Sequence, residues 1–227
     1  MTQSILSLKN LSVGYDEPLI SNINVEVLPG EVIAILGTSG IGKTTLLRTI
    51  SGLVRPLSGS FDLNINKRGG LGYIPQRLGL VRHATVAHNV SLGARVNIGF
   101  SRNMWKERSE RTMQALEMLG IAEKANEPVR RLSGGQQRRV ATARSLAQRP
   151  QLLLADEFLG ELDNLNVEIV FASVDQLVAE GTAVIMVEHH DDNALKFASR
   201  IWNLKDGVLH DMTIEEWKQQ PRGGEEE

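Results

Sequence analysis

Gly37-Thr38-Ser39-Gly40-Ile41-Gly42-Lys43-Thr44 is the stretch whose surroundings decide the architecture. Before it lies the apolar run Glu31 to Leu36, which opens after the turn pair Pro29-Gly30. After it, Thr44 to Leu53 sets Leu46, Leu47 and Ile50 on one helical face. The local reading is strand, glycine-rich loop, helix. Farther upstream, Ile23, Val25 and Val27 alternate with polar residues, as on a half-buried strand. Downstream, Ser58-Gly59 and Gly69-Gly70 bracket a strand at Ser60 to Ile65, and Leu71 to Gln76 reads as another. Gln151 to Asp156 and Thr182 to Val187 are apolar on both faces, as strands of a covered parallel sheet must be. Between them Ile169, Val170, Val174, Leu177 and Val178 mark an amphipathic helix that stops at Gly181.

From about Arg77 to Gln148 the pattern is helical. Thr85 caps a short helix through Val90. Ser101 caps a longer one with Trp105, Thr112, Leu116 and Leu119 near helical spacing and Gly120 as its stop. Ser133 caps a third that ends before Pro150. The expected fold is therefore an α/β core, interrupted by a helical insert and then resumed. The 227 residues suffice for one such domain with an insert. A net charge of −2 argues against a general nucleic-acid binder, which would carry a basic excess. The absence of cysteine excludes disulfides and thiolate metal sites and fits a reducing compartment. The N-terminus lacks the apolar stretch of a signal peptide, and no run approaches the roughly 18 apolar residues that span a bilayer. Any membrane role is expected to come through a partner. Residues 220–227, which end in Glu225 to Glu227, read as a disordered acidic tail.

The loop 37–44 matches the P-loop pattern in the strand-to-helix context that pattern requires. Its glycines let consecutive N–H groups converge on phosphate oxygens, and the following helix adds the positive end of its dipole. Lys43 supplies a charge for β- and γ-phosphates, and the Thr44 hydroxyl suits Mg²⁺. Leu152-Leu153-Leu154-Ala155 leads into the carboxylates Asp156 and Glu157. Asp156 is placed to face a Mg²⁺ ion, and Glu157 to orient or deprotonate an attacking water. Leu132-Ser133-Gly134-Gly135-Gln136 opens a helix containing Arg138, Arg139 and Arg144. The Ser133 hydroxyl and the N–H groups of Gly134 and Gly135 form a second anion site at a helix N-terminus.

On these residues the chain resembles the ABC ATPase family, from about Leu6 to His210. Leu132 to Gln136 reads as its signature motif, Gly37 to Thr44 as its Walker A loop, and Leu152 to Glu157 as its Walker B strand. The resemblance implies a P-loop NTPase (RecA-like) α/β core with an antiparallel β subdomain and an inserted α-helical subdomain. Residues 1–76 and 150–211 would form the nucleotide-binding core and 77–149 the helical signature subdomain. It also implies Tyr15 as the aromatic that stacks on adenine, Gln76 as the Q-loop residue that reaches Mg²⁺, and Asp163 as the close of the D-loop. Residues 37–45, including Thr45, would line the nucleotide. His189 stands at the switch histidine. His190 is its rival, and Asn193-Ala194-Leu195 with Ser199-Arg200-Ile201 aligns with the family when His189 is chosen.

The resemblance further implies ATP held between two copies, or between this chain and a homologous cassette, with Ser133, Gly134, Gly135 and Gln136 acting on the partner's γ-phosphate. Hydrolysis would power an integral membrane permease from the cytoplasmic inner face of the membrane, and a solute-binding protein would belong to the same system in an importer. The stretch Leu80-Val81 to Thr85-Val86, Asn89-Val90 and Gly93 is similar to phosphonate-type importers; exporter and lipoprotein-releasing cassettes share parts of it. Four positions depart from the family pattern. Phe158 replaces the usual proline, Gly160-Glu161 replaces common Ser and Ala, and Glu188 stands where Thr or Ser is usual. These departures leave room for an ATP-gated assembly module with weak hydrolysis.

Overall fold

The computed structural model describes residues 3–99, 102–160, 162–188 and 195–219. Two sheets organise it. A three-stranded antiparallel sheet has the order β2-β1-β4 and is built from Leu6–Gly14 (β1), Pro18–Val27 (β2) and Ser58–Leu63 (β4). A six-stranded sheet has the order β5-β6-β7-β3-β8-β9. Its strands are Leu71–Ile74 (β5), Leu152–Asp156 (β6), Ala183–Val187 (β7), Val32–Leu36 (β3), Arg200–Lys205 (β8) and Val208–Thr213 (β9). All neighbours are parallel except β8 and β9.

The central strands bury both faces, and the period of two sends alternate side chains into two cores. Ile33 and Ile35 of β3, Leu152 and Leu154 of β6 and Ile185 of β7 face helix α1 (Lys43–Ile50) and the small sheet. Val32, Ala34 and Leu36, with Leu153, Ala155, Val184 and Met186, face the other way. There they meet α2 (Val86–Ala94), α3 (Met104–Met118), α4 (Gly134–Gln148) and α5 (Asn164–Ala179). A last short helix, α6 (Ile214–Gln219), follows β9. Every residue of β3, β6 and β7 is buried, so these strands are fixed by hydrophobic transfer on both sides.

Some elements end where the sequence reading put them and others are shifted. The helix expected from Ser133 begins on that cap and stops at Gln148, before Arg149 in a left-handed conformation and Pro150. The helix capped by Thr85 runs on to Ala94, because Val90 and Ala94 are both fully buried. The strand read as Ser60 to Ile65 is shifted to Ser58–Leu63 by its pairing with β1. Ser101, the expected cap of the longer helix, lies outside the described residues; that helix begins at Met104 after Asn103.

α2 and α4 touch without an intervening side chain. A Cβ at Gly93 would collide with the carbonyl oxygen of Arg144. This contact, and the buried Asn89, pin the segment that follows Gln76. Asn89 Oδ1 accepts from Val81 N at 2.7 Å, and its Nδ2 donates to the carbonyls of Val81 (3.1 Å) and Thr85 (3.0 Å).

Candidate active site

The candidate residues stand just past the C-terminal ends of neighbouring parallel strands, where open α/β sheets bind ligands. The loop 37–42 leaves β3, Gln76 lies just past β5, Asp156 ends β6 and Glu157 follows it. His189, expected after β7, lies outside the described residues, as do its rival His190, Glu161 and the tail 220–227.

Gly37, Gly40 and Gly42 take positive φ values of 143°, 79° and 115°, which is how the loop curls back over α1. Lys43 is folded into that curl, donating from Nζ to the carbonyls of Gly37 (2.5 Å) and Thr38 (3.0 Å). Burial lowers its pKa, while the carboxylates of Glu157 and Asp156 act in the opposite sense. Gly40 meets nothing within 4 Å at its Cβ position, and Ser39 beside it is exposed. Ile41 packs on the core beneath the small sheet, and Thr45 is buried in the first turn of α1. Thr44 Oγ1 donates to Asp156 Oδ1 at 3.0 Å, and Asp156 is only 1% exposed. A hydroxyl and a carboxylate side by side form a hard-oxygen donor set of the kind Mg²⁺ takes when phosphates and water complete its shell.

Glu157 begins the turn after β6 with φ at 51°, a left-handed conformation unusual for a residue with a side chain. Three elements hold it there. Its N–H donates to Val187 O of β7 at 3.1 Å, and its carbonyl accepts from Arg138 Nη1 of α4 at 2.7 Å. Its carboxylate accepts from Gln76 Nε2 at 2.6 Å. The next residue, Phe158, is 1% exposed and meets Phe171 of α5 edge to face at 6.0 Å. An aromatic thus anchors the turn at the position where the sequence departs from the family. α4 also reaches the segment after Gln76, because Arg144 donates to the carbonyls of Leu78 (2.8 Å) and Gly79 (2.9 Å).

Tyr15 is exposed and stands at the guanidinium of Arg48. The phenol oxygens of Tyr15 and then Tyr73 stabilise that charge and raise its pKa. Tyr73 is in turn pushed up, first by burial and then by Asp156. Arg48 and Arg138 are residues that the sequence reading gave no role.

The second glycine motif forms a separate cradle. Ser133 caps α4 in a capping box: its Oγ accepts from Gln136 N at 3.3 Å, and its N–H donates to Gln136 Oε1 at 3.0 Å. Gly134 and Gly135 follow in the first turn, where backbone N–H groups lack helical partners. Asp163 caps α5, accepting from Asn166 N at 2.9 Å and Asn166 Nδ2 at 2.8 Å, and these bonds lower its pKa. An open surface cavity is lined by Ser133 to Gln136, Arg139, Asp163 and Asn166. None of residues 37–45 lines it.

The sequence model of the family described as "ABC transporter" matches residues 20–160. The chain is 36% identical over 223 residues to the uncharacterized ABC transporter ATP-binding protein YvrO of Bacillus subtilis, covering 90% of this chain and 95% of that protein. It is 34% identical over 233 residues to the phosphonates import ATP-binding protein PhnC of Escherichia coli O157:H7, covering 92% and 89%. It spans only 60% to 64% of the length of three other curated relatives. Among solved structures, the dimeric post-hydrolysis state of the ATP-binding cassette MJ0796 bound to ADP and Pi superposes with a TM-score of 0.80. That structure is 30% identical, over 92% of this chain and 98% of that one. With its two glycine motifs, its acidic strand end and these likenesses in agreement, the chain belongs to the ABC transporter family, as an ATP-binding and ATP-hydrolysing member.

Proposed function

We propose that two copies of this chain meet head to tail, each capping the triphosphate held by the other, and that hydrolysis between them drives a separate membrane permease. The observation that carries this reading is the division of the site into two cradles. One gathers Lys43, Thr44, Asp156, Glu157 and Gln76; the other gathers Ser133, Gly134, Gly135, Gln136 and Asp163 on open surface. The solved MJ0796 cassette is dimeric by its description, which supports the pairing.

In this reading Lys43 exchanges the carbonyls of Gly37 and Thr38 for β- and γ-phosphate oxygens, while the N–H groups of residues 37–45 wrap the phosphates. Tyr15 stacks on the adenine. Thr44 and Asp156 hold Mg²⁺, with Gln76 reaching it as well; when bound, it neutralises charge on the phosphates. Glu157 orients the attacking water and accepts its proton. The partner copy's signature turn, with Asp163 beside it, binds the γ-phosphate, and His189 completes the contact. Loss of the γ-phosphate removes the joint, and the pair opens.

No helix among the described residues is long and apolar enough to cross a membrane. We place the chain on the inner face of the membrane, docked on a permease through the 77–149 insert. The phosphonate-import name of one relative supports an importer, and a solute-binding protein would then belong to the system.

Steady-state ATPase and sedimentation of the wild type and Glu157→Gln test the reading. Glu157→Gln should lower kcat about a hundred- to ten-thousand-fold while sedimenting as a dimer with ATP and Mg²⁺. Adding Ser133→Arg should return it to monomer. A monomer in every condition would sink the head-to-tail pairing, and unchanged turnover would sink the role of Glu157.

A further inference from the structure

Glu188 follows β7 directly, beside the turn that presents Glu157. It is 5% exposed, and its Oε1 is buried without a hydrogen-bond partner among the described residues. The Leu159 N–H, inside the 157–160 turn, stands against that carboxyl and favours its charged form. The charged groups that face it among the described residues are Glu157, at the end of β6, and Arg138 of α4. Arg138 in turn donates to the Glu157 carbonyl at 2.7 Å. The left-handed Glu157 is thus clamped through its own N–H by Val187, through its carbonyl by Arg138, and two residues on by Glu188. Backbone in this region persists only where the surroundings over-determine it. A Thr or Ser at position 188 would be too short to reach as a carboxyl does.

We propose that Glu188 is a positioning residue for hydrolysis: its buried carboxyl, next in chain to the Val187 carbonyl that holds the Glu157 N–H, braces the turn that aims Glu157. The inference rests on the role proposed above for Glu157. Burial, and then the Glu157 charge, push the Glu188 carboxyl up to about 8, against the opposing pull of the Leu159 amide and Arg138. At neutral pH the proton stays on. As pH passes about 8 the proton leaves, the new charge draws the Arg138 guanidinium from the Glu157 carbonyl, and the turn loosens.

The test compares the full-length wild type, Glu188→Gln, Glu188→Thr and Glu157→Gln in ATPase assays from pH about 6 to about 10. Wild-type kcat should fall on a basic limb centred near 8. Glu188→Gln keeps the length of the side chain and cannot ionise. It should keep its neutral-pH kcat within about twofold and lose that limb. Glu188→Thr should lose about tenfold in kcat with KM for ATP nearly unchanged. A readout independent of turnover is the infrared carbonyl band of a protonated carboxyl. It should be present at neutral pH, bleach near pH 8, and be missing from Glu188→Gln. The same basic limb in wild type and Glu188→Gln, or no such band in a folded wild type, would overturn the proposal. Undiminished turnover in Glu157→Gln would instead overturn the reading on which it rests.

Discussion

Glu157 combines a left-handed backbone with a side chain that must meet a reacting water. Such conformations cost on the order of 1–3 kcal/mol, supplied here by Val187, Arg138 and Gln76. Lys43 shows the other kind of preparation: its ammonium already rests on two loop carbonyls, next to two carboxylates. Lys43→Ala should weaken ATP binding at least about tenfold, read by equilibrium titration, because the charge-assisted bonds to phosphate are lost. Glu188 makes stability depend on pH. The folded chain keeps its proton up to about 8, whereas an unperturbed carboxyl releases it near 4.5. The folded state therefore binds more protons between these values, and stability declines as pH rises through that window. Denaturant titrations at pH about 5 and about 9 should show the wild type losing on the order of 2–4 kcal/mol that Glu188→Gln retains. Lys43, Asp156 and Glu157 were legible in the sequence because a loop or a strand end announces them. Arg138 was not, since its partner is a backbone carbonyl, which any residue type offers.

Elements carry the site by their ends. Ser133 has a structural duty apart from any phosphate, because its capping box completes the first turn of α4. Ser133→Ala should cost about 1 kcal/mol in a chemical denaturation measured without nucleotide. Phe158→Ala, which empties the contact with Phe171, should cost about 3–5 kcal/mol in the same assay. The buried central strands were readable as continuous apolar runs. β1 was not, and its bulges explain why. The register shifts between Leu8 and Leu11, Asn10 takes φ of 48°, and the burial pattern loses its period of two. The β8–β9 hairpin also went unread, although Asp206-Gly207 is a hairpin signal. Both residues take positive φ, as a tight turn between twisted strands needs. β9 hides it with a mostly exposed, irregular pattern.

For the whole molecule, one six-stranded sheet separates two cores, and all the candidate residues of the first cradle collect past the C-terminal ends of its parallel strands. The order of motifs along the chain was enough to foresee the α/β core and its helical interruption. The grip of α4 on both the acidic turn and the segment after Gln76 was not foreseeable, because it depends on which carbonyls fold brings to Arg138 and Arg144. The seam between α2 and α4 has one more consequence. With Gly93 flush against the Arg144 carbonyl, the two helices have no lubricating layer of side chains and cannot slide past each other. Amide deuteration should report them as a single opening unit, and a lone methyl at position 93 should act as a wedge that splits this unit into two exchange classes.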